Sequence, residues 1–201
     1  MNYLLYLHGF CSSPQTTKAQ LTKAYWANSA VKVEAPNLNM EPNRVEELLH
    51  AWAQAHQNDQ WAVIGSSLGG FYAARLAHRW GRPAILLNPC IDPWELLPRY
   101  VGMQEADDGQ VLEVSLHYID DLLALHDRYS TFLPPEQHLL ILGDQDELLD
   151  PQKAVRWYGT ESLVWSHGDF HRLENYASFL PAIEEFLVRT YGATFAHTEV
   201  K

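Results

Sequence analysis

The sequence predicts a three-layer α/β/α sandwich around a mostly parallel, six-stranded sheet with a small helical insertion, and three observations carry that prediction. Six short β-rich apolar runs recur along the chain with helical segments between them, the pattern of alternating β and α units. Most of these runs are apolar on successive residues instead of alternating, as expected of strands covered by helices on both faces. The 201 residues, 47% hydrophobic and 19% charged, suit one compact domain spanning 1–201, with enough apolar side chain for a core and too little charge for disorder.

The first strand is expected at 3–7. The first helix is expected to run from Ser13-Pro14 to about Asn28, because Ser at an N-cap followed by Pro at the first helical position is a favoured opening. A second strand falls at 31–35. A helix over 43–56 then places Val45, Leu48, Leu49 and Trp52 on one apolar face. The third strand, 61–65, leads into a helix that begins just after Ser67 and stops before Gly81-Arg82-Pro83, where Gly and Pro end it. After a fourth strand at 84–88 the alternation breaks. Residues 93–135, with an acidic, Gly-containing stretch around 105–109, read as a lid-like insertion over the sheet that holds a helix at 116–126. Its Trp94, Tyr100, Met103 and Tyr118 either cover a pocket or pack a helix onto the sheet. Strands at 138–142 and 163–166 and helices at 151–158 and 173–190 complete the pattern, and a loose tail follows from about Ala193.

Charge and cysteine content narrow the function classes. Lys and Arg total 14 against 25 Asp and Glu, a formal net charge of −11, and no dense basic run stands out against it. Nucleic acid and anionic membrane are therefore poor partners. The apolar stretch at the N-terminus is too short for a signal peptide or a membrane span, which gives a cytoplasmic expectation. Cys11 and Cys90 sit in no metal-like spacing and cannot form a disulfide framework, so both read as reduced thiols.

The chemistry concentrates in three places. Gly65-Ser66-Ser67-Leu68-Gly69-Gly70 satisfies G-x-S-x-G between a strand and a helix. Such a nucleophile elbow needs small flanking residues and lifts the hydroxyl of Ser67 above the sheet. A serine hydroxyl is a weak nucleophile near neutral pH; it needs a base within hydrogen-bond reach, and the base needs a carboxylate to fix its tautomer. The fifth strand is followed by Gly143-Asp144-Gln145-Asp146 and the sixth by His167-Gly168-Asp169-Phe170-His171. The order Ser, acid, His is the one this elbow is found with. Asp150-Pro151 reads as a helix cap and Asp144 as a loop tie, leaving Asp146 as the acid. His171, four residues after His167, is better placed than that residue to reach across. Zinc binding by the two histidines lacks an H-E-x-x-H pattern and leaves Ser67 unexplained. The remaining histidines read as surface or helix residues. His8-Gly9-Phe10 follows the first strand and offers the Phe10 N–H, beside the Leu68 N–H, as donors to a developing oxyanion. Cys11 lacks such a turn and reads as a small buried thiol.

These segments resemble the α/β-hydrolase superfamily and, within it, the short bacterial YqiA/YcfP-type esterases. The resemblance rests on residues 3–10 with Ser12-Ser13-Pro14, on 65–73, on Asn88-Pro89, on 146–150 and on the segment ending at His171, in unchanged chain order. It implies the minimal α/β-hydrolase fold and a serine carboxylesterase acting on short acyl esters, with Ser67, Asp146 and His171 as its triad. Small-molecule esters are then the partners, and neither metal nor organic cofactor is required. An acyl-CoA thioesterase or acyltransferase would use the same triad, and a non-catalytic binding protein would keep the fold without turnover.

Overall fold

The computed structural model describes residues 1–128 and 133–197. Residues 129–132 of the expected insertion and 198–201 of the expected tail lie outside the described residues. The strands are β1 (Asn2–Leu7), β2 (Val31–Glu34), β3 (Gln60–Ser66), β4 (Ala84–Leu87), β5 (Gly102–Glu105), β6 (Val111–Val114), β7 (His138–Gly143) and β8 (Leu163–Ser166). Six of them form one sheet in the order β2-β1-β3-β4-β7-β8, every pair parallel. The chain leaves β1 toward β2 on one side and returns to β3 on the other. The carboxyl ends of β1 and β3 therefore flank a topological switch point, where the helices diverge and a crevice opens.

Both faces of the inner strands β1, β3, β4 and β7 are apolar, which is why these strands read as nearly unbroken hydrophobic runs. Leu4, Tyr6, Ile64, Leu87 and Ile141 face one layer, formed with α1 (Thr17–Tyr25) and a C-terminal helix. Leu5, Leu7, Val63, Leu86 and Leu142 face the other, built by α2 (Pro42–Ala55), α3 (Leu68–Trp80), α5 (Leu116–Arg128) and α6 (Pro151–Tyr158). The short α4 (Pro93–Leu96) precedes the hairpin, and the C-terminal helix is α7 (Leu180–Tyr191). Among the described residues, no helix is long and apolar enough to cross a membrane.

Four local expectations are corrected. Helix α1 starts at Thr17, not at Ser13-Pro14: Thr16 accepts the Ala19 N–H at 3.2 Å as its cap, while Ser13 Oγ accepts only the Gln15 N–H in a local turn. The final helix starts at Leu180, because Leu173 has a positive φ of 48° and the Asp169 carboxylate takes the Glu174 and Asn175 N–H groups. The insertion holds, besides its helices, the antiparallel hairpin β5–β6. The tail is fastened through Phe195, which is fully buried and whose carbonyl accepts the Trp26 indole N–H at 3.0 Å.

Candidate active site

Loops from the carboxyl ends of the parallel strands bring the chemistry together. Ser67 stands between β3 and α3 with φ 54° and ψ −120°, a left-handed conformation that a residue with a Cβ adopts only under constraint. Its neighbours supply the constraint: the Ser67 N–H donates to Leu87 O at 3.0 Å, and its carbonyl accepts the Gly70 and Cys90 N–H groups. A Cβ on Gly65 would lie 2.5 Å from Ala73 Cβ, and one on Gly69 would lie 2.6 Å from His8 O. The spacing of the motif is thus a packing requirement between β3, α3 and the loop after β1.

The His171 ring lies in hydrogen-bond reach of both partners, with Nε2 3.0 Å from Ser67 Oγ and Nδ1 2.8 Å from Asp146 Oδ2. A carboxylate only accepts, so Nδ1 carries the proton and Nε2 is left to accept from the serine hydroxyl. The Asp146 side chain is buried, and its other oxygen takes the Leu148 and Leu149 N–H groups at 2.9 Å each. Both of its oxygens are occupied, which fixes the carboxylate plane. The His171 backbone N–H donates to Glu147 Oε2 at 2.9 Å, and that bond holds the Glu147 carboxyl below its ordinary range.

The neighbouring candidates are engaged elsewhere. Asp144 pairs with His167 Nδ1 at 2.9 Å and accepts the Gly168 N–H at 2.7 Å, closing the base of the histidine loop at the surface. Asp150 caps α6 by accepting the Gln152 N–H. A cleft of about 200 Å³ adjoins the Asp146 loop, lined by Pro89, Ile91, Leu96, Leu148, Leu149 and Arg99 among others.

The loop after β1 closes the opposite side of Ser67. A Cβ on Gly9 would lie 3.3 Å from Ser67 Cβ. Neither the Phe10 nor the Leu68 amide donates to a protein acceptor among the described residues. His8 is buried, against the expectation of a surface or helix position. Its Nε2 accepts the Leu38 N–H at 2.9 Å, so its Nδ1 carries the proton and donates to Gly9 O, also at 2.9 Å. That bond orients the peptide whose other end is the Phe10 N–H. Burial holds the His8 imidazole below its ordinary pKa, which favours this neutral form. Cys11, with φ 50°, completes the turn that the Ser12 N–H closes on Gly9 O. The tip of the hairpin grips this turn, since the Asp107 N–H donates to Cys11 O at 3.0 Å and its carboxylate accepts from Ser12 Oγ at 3.1 Å. Sequence reading missed His8 and Asp107 as parts of the site; only the adjacency of His8 to Gly9 pointed to the first.

The sheet order and the strained serine between the third strand and its helix make this an α/β-hydrolase fold. Est1E from Butyrivibrio proteoclasticus is similar in structure, with a TM-score of 0.72 at 17% identity over 93% of this chain and 87% of that one. So is the esterase domain of a Rhodothermus marinus protein, with a TM-score of 0.67 at 17% identity over 95% and 88%. Likeness at these identities is one of fold. By sequence, the chain belongs to the family described as Uncharacterised protein family (UPF0227), whose model matches residues 3–188. The UPF0227 protein of Pectobacterium atrosepticum is 20% identical over 187 residues, which are 91% of this chain and 97% of the relative.

Proposed function

We propose that this protein is a serine carboxylesterase that hydrolyses short-chain carboxylic esters through an acyl-enzyme intermediate. One observation carries the reading: the unbroken line from Ser67 Oγ through the His171 ring to a buried Asp146. His171 Nε2 takes the serine proton as Oγ bonds to the ester carbonyl carbon, and the Phe10 and Leu68 N–H groups hold the oxyanion. The carbonyl re-forms as the C–O bond to the alcohol breaks, and the alcohol departs with the proton from His171. Water, deprotonated by His171, then attacks the acyl carbon; the bond to Ser67 Oγ breaks, Oγ takes the proton back from His171, and the acid is freed. Asp146 holds the imidazole in its tautomer and stabilises the imidazolium formed in each half. Small-molecule esters are the proposed substrates, and the cycle calls on no metal or organic cofactor. The esterases among the structural neighbours support the reading.

The test combines active-site labelling with turnover. A fluorophosphonate probe is expected to label the wild type and not Ser67→Ala. On p-nitrophenyl acetate, Ser67→Ala and His171→Ala are expected to lose about 10³-fold or more in kcat and Asp146→Asn about 10²- to 10⁴-fold. Wild-type hydrolysis by Ser67→Ala would sink the proposal.

A further inference from the structure

We infer that Asn88 is a positioning residue that holds the acid loop and the histidine loop in register with Ser67; the inference rests on the esterase reading. Asn88 follows β4, between the strand that precedes the serine and the strand that precedes the acid. Its side chain is buried. Oδ1 accepts the Gly143 N–H at 2.9 Å, at the root of the loop that carries Asp146. Nδ2 donates to the His171 carbonyl at 3.0 Å and to the Phe170 carbonyl at 3.3 Å. The donor and acceptor pattern admits only this orientation of the amide. One side chain therefore grips the base's own peptide and the start of the acid's loop.

The backbone around it reaches the third partner. Leu87 O takes the Ser67 N–H, and the Cys90 N–H donates to Ser67 O, so the residues on either side of Asn88-Pro89 clamp the serine peptide. Asn88 itself has a φ of 39°, an unfavourable conformation for a residue that precedes proline. Such strain persists where the surroundings over-determine it. Here the Asn88 N–H is bound to Ile141 O at 3.0 Å as well. The two loops meet directly at this point: the Gln145 N–H donates to Asp169 O at 3.0 Å, and a Cβ on Gly143 would lie 2.6 Å from that same oxygen. Without the amide, the His171 and Phe170 carbonyls lose their donor, and the histidine loop loses its tie to the strand end beside Ser67.

The test uses Asn88→Asp, which keeps the volume and the acceptor for Gly143 but removes the donor, beside Asn88→Ala. Each is assayed with p-nitrophenyl acetate at a temperature where circular dichroism shows it folded. Ile183→Val, in a core remote from these loops, serves as the control for lost stability. The expected result is a fall in kcat of about 10- to 100-fold, the scale of a misplacement near 1 Å. KM should stay within about threefold, the rate of Ser67 phosphonylation should fall in parallel, and the control should keep its kcat at a comparable loss of Tm. A labelled, active wild type whose Asn88→Asp variant keeps its kcat overturns the role of Asn88 and leaves the esterase reading standing. A wild type that takes no phosphonate at Ser67 overturns both.

Discussion

Three non-glycine residues with positive φ, Cys11, Ser67 and Asn88, follow β1, β3 and β4 in turn. Left-handed backbone at such residues costs on the order of 1–3 kcal/mol each, and here it falls on the segments around the proposed nucleophile. Of the three, only Ser67 was legible as chemically special from its local pattern, because its glycine neighbours leave a spaced signature; Asn88 entered only through the family resemblance, without a role. The sulfur chemistry beside it is quiet: burial pushes the Cys11 thiol up to about 11 and the Cys90 thiol up to about 12. At pH 8 both are overwhelmingly protonated, so ester hydrolysis should survive prolonged iodoacetamide treatment while a fluorophosphonate abolishes it. Rapid loss of activity on alkylation would move the nucleophile to a cysteine. Two buried imidazoles contribute to the loss of stability in mild acid. Burial lowers the pKa of His8 and His138 below the ordinary value, so the unfolded chain binds more protons than the native one once the pH falls below about 6.5. Stability is then full above that pH and declines through the window beneath it. The Tm should drop between pH 7 and pH 5, and His138→Gln should make the drop shallower; a Tm flat over that range would contradict this.

Elements were legible in proportion to how far local pattern and tertiary demand agree. The inner strands β1, β3, β4 and β7 announce themselves because both of their faces are buried, and α2 because Val45 and Leu49 repeat along one side. The end of the chain misleads for a physical reason. Leu173, Tyr176 and Leu180 are all buried and sit at helix-like spacing, yet the turn at Leu173 and the bonds to Asp169 impose a different backbone. The hairpin hid inside an acidic stretch. Its signal is Asp108-Gly109 between two short segments, with Gly109 at φ 79° and the Ala106 N–H closing on Gln110 O at 2.8 Å. Composition hid the tail as well, since one large apolar residue among small and polar ones gives no periodicity. Phe195→Ala should nevertheless cost about 3–5 kcal/mol in chemical denaturation, as for other buried aromatics. A cost below about 1 kcal/mol would mean that the segment is held weakly.

At the scale of the whole molecule, five strand ends supply everything the proposed reaction uses: β1 the amide turn, β3 the serine, β4 the asparagine, β7 the acid and β8 the base. The order Ser, acid, His could be read from the chain, because parallel strands put their carboxyl ends on one side whatever the sequence distance. The contacts between loops could not, since no local pattern encodes which carbonyl an asparagine will meet. The hairpin joins this assembly at its far side. Asp107 is bonded to both Cys11 and Ser12, and Asn37 ties the same turn through Asp108 and Gln110. The tip and the Gly9–Ser12 bend are thus fastened to each other by hydrogen bonds. In the proposed reaction an outward swing of the hairpin would therefore pull on the peptide that presents the Phe10 N–H, linking the shape of the insertion to the donor beside Ser67.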